Sequence, residues 1–284
     1  MGESARAGQE GGENPTHPEQ KHNSNPTLTQ PQPQPQHKTL LFHEHPQFAL
    51  DPHQAITYIN SSNNNNEKSP PPPPPTSTPP HPTLIPSHLL LHPNTVPILT
   101  FRHPAYIVPS VFKFLVYNTS NSIHSSTSPN QAAEKSHTGI SLVTNLRWQR
   151  QIYEFYNFHN INRLVVESSS YQTSPTFVRK ICTLAGLDPE AAVFEWDAMP
   201  EGEQERLDPQ VRYLMKTLND STGLRVELAK RGGGEDGEED VDLEVLEGEW
   251  KREFGEEAAG FIRREVEKGL EDYRFLRERR VRED

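Results

Sequence analysis

The stretch VPILTFRHPAYIVPSVFKFL, residues 96–115, decides the fold class. Val96 to Phe101 is a short apolar run bounded by polar and turn residues, the pattern of a buried strand. Pro104 suits a first helical position, because the N–H it lacks is one that a helix start leaves unbonded anyway. Ile107, Val108, Val111, Phe112 and Leu115 then form one apolar face at helical spacing, and Pro109 predicts a kink within that helix. Strand followed by helix recurs after Leu164 to Val166. There Ser174 is an N-cap with Pro175 behind it, Phe177, Ile181, Leu184 and Ala185 repeat at helical spacing, and Gly186 ends the run. Thr39 to Phe42 supplies a third apolar run. Such alternation predicts an α/β fold built on a parallel sheet.

Two further helices follow from periodicity. Over Thr144 to Tyr156, Leu146, Ile152, Tyr153 and Tyr156 share a side, with Arg147, Gln149 and Arg150 mostly outward. Near the end, Trp250, Phe254, Ala258, Phe261, Ile262, Val266, Leu270, Tyr273 and Leu276 recur every three or four residues. A stripe of that kind predicts a terminal helix docked on its own domain rather than one held for a partner. The mixed charges opposite it argue against a membrane surface.

Composition sets the limits of the folded part. Only 32% of residues are apolar, while Pro contributes 27 and Gly 16. Residues 1–37 contain no Phe, Trp, Tyr, Ile or Val and cannot bury enough surface to offset their ordering entropy, so they read as a disordered leader. The domain then runs over 38–281, interrupted by low-complexity, disordered insertions at 60–82, 118–140 and 232–248. The net charge of −11 argues against a nucleic-acid partner. Eight acidic residues between Glu235 and Glu247 read as a solvated loop. The single cysteine, Cys182, permits no internal disulfide and no cysteine-based zinc site, and its place beside an apolar stripe predicts a buried structural thiol. No apolar run reaches membrane-spanning length and no signal peptide opens the chain, so the expectation is a soluble cytoplasmic protein with no membrane partner. Pro70 to Pro75 is a candidate polyproline-binding segment.

Chemistry concentrates at two strand ends. Ligands of open parallel sheets sit beyond the carboxyl ends of the strands, which puts His43 and His45 under suspicion as general acid/base groups. Joined by His53 they could hold a metal, but no carboxylate completes a ligand spacing and no metal is expected. Arg102 ends the second strand, and Ser110 stands about two turns into the following helix. A guanidinium fork with a hydroxyl is a good way to hold a phosphate.

These residues carry a resemblance. Thr-Leu-Leu-Phe-His-Glu-His-Pro-Gln-Phe (39–48), His81 to Pro86 and Ile98-Leu-Thr-Phe-Arg-His-Pro with Pro109-Ser110 resemble segments of fungal sulfotransferase-like P-loop proteins. So do Asn145-Leu-Arg-Trp-Gln-Arg, Leu164-Val-Val-Glu with Ser174-Pro, Ile181-Cys-Thr-Leu-Ala-Gly-Leu, Asp220-Ser-Thr-Gly and Trp250-Lys-Arg-Glu-Phe-Gly with Tyr273-Arg-Phe-Leu-Arg. Their order along the chain is that of the family.

The resemblance implies a P-loop-type parallel sheet flanked by helices. It implies transfer of a sulfuryl group from 3′-phosphoadenosine 5′-phosphosulfate to a hydroxyl or amine of a small-molecule acceptor, in fungal secondary metabolism. Arg102 and Ser110 match the pair that holds the cofactor's 3′-phosphate, and His45 matches the histidine base. His43 falls where a lysine often steadies the bridging oxygen. The family's phosphosulfate-binding loop, of Pro-Arg-Ser-Gly-Ser/Thr type, has no counterpart before Lys38. The sheet is therefore expected to be incomplete at its N-terminal strand. That departure keeps a second reading open, a truncated or catalytically inactive relative acting as an interaction protein. A third is another P-loop transferase acting on phosphorylated nucleotides.

Overall fold

In a computed structural model, residues 41, 43, 45–63, 81–121, 137–224 and 241–283 are described. The chain divides into two units, Met1–His43 and Glu44–Asp284. In the first unit Leu41 and His43 are the described residues, and both are exposed and outside any helix or strand. The strand expected over Thr39 to Phe42 is therefore not formed at Leu41, which is 79% exposed. Thr39, Leu40 and Phe42 lie outside the described residues, as does the proline run Pro70 to Pro75.

The second unit begins with two helices, α1 (Pro46–Ala49) and α2 (Pro52–Asn63), and a single turn, α3 (Ser87–Leu90). Strand β1 (Ile98–Phe101) leads into α4 (Pro104–Asn121). Residues 137–143 form α5, followed by α6 (Arg147–Phe158), β2 (Leu164–Glu167), α7 (Ser168–Thr173) and α8 (Pro175–Leu184). Two short elements, α9 (Glu201–Gln204) and α10 (Pro209–Asn219), precede the closing pair α11 (Leu243–Phe254) and α12 (Glu256–Glu278).

The two strands pair in parallel, Ile98 beside Leu164 and Phe101 beside Glu167. The parallel α/β expectation holds in this coarse form, with a two-stranded sheet among the described residues. β1 begins two residues later than the apolar run suggests, because Pro97 has no N–H to donate and only its carbonyl joins the ladder, accepting from Leu164 at 2.9 Å. Alternation along the strands builds two cores. Leu99, Phe101 and Val165 pack with Leu146, Tyr273 and Leu276 on one face. Leu164 and Val166 pack with the fully buried Phe177 of α8 on the other. α4, α5, α11 and α12 enclose a third core around Val108, Phe112, Ile140, Trp250, Ile262 and Val266.

Several boundaries differ from the sequence reading. α4 runs through Pro109 to Asn121, Ile140 is wholly buried in a helix, and the acidic segment becomes helical from Leu243. Asp242 starts α11 by accepting from the Glu244 and Val245 amides at 2.9 and 3.1 Å, a cap that reads from sequence as one more loop carboxylate. α6 starts at Arg147 rather than Thr144, because the Asn145 side chain accepts the Arg147 amide at 2.9 Å and breaks the run. The long terminal stripe is two helices, divided at Gly255, whose φ of 88° suits glycine and few other residues. The docking expectation for its second half holds, with Phe261, Ile262, Val266, Tyr273 and Leu276 buried. Cys182 is half-buried on α8 rather than enclosed.

Ser174 behaves as its sequence position suggests. Its hydroxyl accepts the Phe177 amide at 3.1 Å at the start of α8 and also donates to the Glu283 carboxylate. Ser174→Ala is expected to cost about 1 kcal/mol, the usual worth of an N-cap, and thermal unfolding of the full chain measures it. An unchanged midpoint would show that water replaces the cap. Past α12, the Val281 amide donates to Val165 O at 2.8 Å, on the edge of β2 turned away from β1.

Candidate functional site

Arg102 is the first residue beyond β1. The period of a strand puts Phe101 and His103 on the α12 face and directs Arg102 to the opposite side, that of α7 and α8. Its guanidinium lies over the Tyr106 ring, 5.5 Å from the centroid, in the first turn of α4. It is half-buried, and no carboxylate pairs with it among the described residues. Burial lowers its pKa from the usual guanidinium value, with the phenols of Tyr171 and Tyr106 acting in the other direction. Burial likewise pushes the Tyr106 phenol up, and the Arg102 charge partly offsets it. The side chain remains a cation at physiological pH. A partly desolvated cation without a counter-ion is a place where an anion gains more than it would in water.

Ser110 is exposed on α4. It stands four residues beyond Tyr106, so the two share a helical stripe about 6 Å apart along the axis. Arg102, Tyr106 and Ser110 therefore follow one line from the strand end along α4.

Behind Arg102 the second strand ends in hydrogen-bonded groups. The buried Ser168 hydroxyl donates to Phe101 O at 3.0 Å, and the Tyr171 hydroxyl donates to Ser168 Oγ at 3.2 Å. Glu167 is buried too. Its Oε1 accepts from the Tyr273 hydroxyl at 2.6 Å, and its Oε2 lies 3.3 Å from Arg280 Nε. Burial, reinforced by the Glu167 carboxylate, pushes the Tyr273 phenol well above its ordinary range. Sequence reasoning missed this group. The available signal was Glu167 itself, a carboxylate closing an otherwise apolar strand, since an acid in that position needs a partner.

The histidine pair is placed differently. His45 is exposed and precedes α1, its carbonyl accepting from Ala49 N at 3.4 Å. The next residue, Leu50, bridges to Thr83, and His81 packs its ring 5.1 Å from Phe155 of α6. Arg163, just before β2, bonds Tyr153 at 2.6 Å and Asn157 at 2.5 Å, which ties that end of α6 to the start of β2. The His45 segment thus leads into a helix packed against α6, and Arg102 stands at the carboxyl edge of the sheet. His43 belongs to the first unit. His53 is exposed, and no group of three metal-ligating side chains occurs among the described residues. None of the described helices is long and apolar enough to cross a membrane.

Comparison with known proteins gives two relatives. The chain is 28% identical over 213 residues to Sulfotransferase ppzF of Metarhizium majus (strain ARSEF 297). It is 26% identical over 213 residues to Sulfotransferase ppzF of Metarhizium rileyi (strain RCEF 4871). In both, the similarity covers 71% of this chain and 57% of the relative, so the chain spans little more than half the length of the curated relatives it matches. No family model and no solved structure matches it. At the level these comparisons reach, the chain is similar to fungal sulfotransferases.

Proposed function

We propose that Arg102, Tyr106 and Ser110 form the phosphate-holding part of a sulfotransferase site whose donor is 3′-phosphoadenosine 5′-phosphosulfate. The observation that carries the reading is the half-buried Arg102 guanidinium, which has no acidic partner among the described residues at the carboxyl edge of a parallel sheet. Similarity to two fungal sulfotransferases supports it. Parallel strands that lead into helices support a P-loop-type sheet as the larger architecture.

The donor set fits a phosphomonoester. Arg102 supplies a planar fork whose direction is fixed by its place after a buried strand, and Ser110 supplies a hydroxyl one turn beyond Tyr106. The cofactor, when bound, supplies a sulfuryl group that can pass to the hydroxyl or amine of a small-molecule acceptor. Arg102 and Ser110 contribute by orientation, holding the nucleotide by the phosphate remote from the reacting sulfur. His45 is assigned the acceptor proton, and His43 the place that steadies the bridging oxygen, on the family pattern alone. A soluble, cytoplasmic enzyme of secondary metabolism is the setting this reading implies.

The test is calorimetric titration of the full chain with 3′-phosphoadenosine 5′-phosphate. Arg102→Ala is expected to weaken binding about 10- to 100-fold, the worth of a charge-assisted hydrogen bond to phosphate. His45→Ala is expected to leave this binding unchanged, since its assigned role is toward the acceptor rather than the phosphate. Absence of binding at millimolar ligand overturns the reading, and unchanged turnover in His45→Ala removes that residue from its role.

A further inference from the structure

We propose that Tyr273, from the terminal helix, is a positioning residue of the Arg102 site. The inference rests on the reading of Arg102 as a phosphate holder and deepens it. The Tyr273 ring meets both chain neighbours of Arg102. It packs edge-on against the His103 ring at 4.5 Å between centroids, and against Phe101 at 5.8 Å. Both neighbours point away from Arg102 by the period of the strand, so a group that fixes them fixes the direction in which Arg102 leaves the backbone. His103 in turn starts α4. Its Nδ1 accepts the Ala105 amide at 3.1 Å, and its carbonyl accepts the Tyr106 amide at 3.0 Å. Tyr106 is the ring on which the Arg102 guanidinium rests, so both ends of that contact trace back to the residue Tyr273 touches.

The hydroxyl locks the arrangement. It donates at 2.6 Å to Glu167 Oε1, and Glu167 is the registered partner of Phe101 across the ladder. Arg280 holds the other carboxylate oxygen at 3.3 Å, and the next residue, Val281, donates its amide to Val165 O. Tyr273 is therefore fixed at its ring by β1 and at its hydroxyl by β2. Removing the hydroxyl leaves the ring packed but frees it to turn, and His103 and the first turn of α4 then loosen together.

Tyr273→Phe separates this role from a general contribution to stability. In the full chain, titrated with 3′-phosphoadenosine 5′-phosphate, the variant is expected to bind about three- to tenfold more weakly, the size of coupling found within one hydrogen-bonded network. In an Arg102→Ala background the same change is expected to have no further effect, because it acts through Arg102. Equal effects in both backgrounds, or no effect in either, overturn the proposal. Should Tyr273→Phe not fold, the wild-type chain with ¹³C-labelled tyrosine gives the readout. The Tyr273 signal is expected to move on ligand addition while that of Tyr58, on α2, stays in place, and an unmoved Tyr273 signal overturns the proposal. Failure of the underlying reading looks different, since the wild-type chain then binds no ligand or binds it equally well without Arg102.

Discussion

Phe177→Ala is expected to lower the free energy of unfolding by about 3–5 kcal/mol, the usual cost of emptying a fully buried aromatic site. Phe177 has no exposed surface and is the helix-side anchor of the core formed with Leu164 and Val166. Ile181, Ala185, Tyr171 and Val281 border the same space. A truncation there removes the contact that seats α8 on β2, and four different segments would have to move inward to fill the void. Backbone constraints oppose that collapse, since α8 is capped at Ser174 and β2 is held by β1. Urea unfolding of the full chain reads the effect as a lower midpoint with an unchanged slope. A loss below about 1 kcal/mol would falsify the assignment of Phe177 as an anchor, because only an easily refilled site costs so little.

Gly269→Val comes second, at about 2–3 kcal/mol, because overpacking by a stiff β-branched side chain outweighs the few tenths of a kcal/mol that valine gains over glycine in helix propensity. An ideal Cβ at 269 would stand 3.0 Å from Pro104 Cγ and 3.3 Å from its Cβ. Pro104 is fully buried and opens α4, so the neighbour that would have to yield is a rigid ring at a crowded helix start. Gly269→Ala sets two effects of similar size against each other. Alanine in a helix interior gains about 1 kcal/mol over glycine, whereas pressing on Pro104 costs on the order of 1–3 kcal/mol. The expected net result is a small loss for alanine and a large one for valine, read by thermal unfolding of both variants. Valine as stable as the wild type would show that α4 and α12 slide apart freely at this crossing. Pro104 lies two residues after Arg102, so Gly269→Val is also expected to weaken ligand binding.

Local signals carried much of the architecture. A run of apolar residues ending in Arg-His-Pro can do little but enter a sheet and start a helix, and Ser174-Pro175 announces α8 in two residues. What escaped reading was set by distance in sequence. The burial of Trp148 and Phe155, rather than Ile152 and Tyr153, is decided by α2 and by residues around His81, and neither leaves a trace in the periodicity of α6. Thr39 to Phe42 has a strand's composition, yet no pairing stands at Leu41, because an apolar run specifies burial without naming a partner. The relative position of Arg102 and Ser110 was legible, since their spacing follows from one strand and one helix. Tyr273 was not, because it approaches from 171 positions further along the chain, through packing that no local pattern encodes.

The backbone bond from Val281 to Val165 bears on how molecules behave toward one another. Leu164, Val165 and Val166 are uninterrupted hydrocarbon, and a strand of that kind with an open edge is a template for adding further strands from other chains. The segment that occupies the edge is short and flanked by Arg280, Arg282 and Glu283, with Lys180 holding the Arg282 carbonyl at 2.8 Å. Charge placed beside a sticky strand repels like copies, and residues so placed are expected to disfavour intermolecular sheet growth.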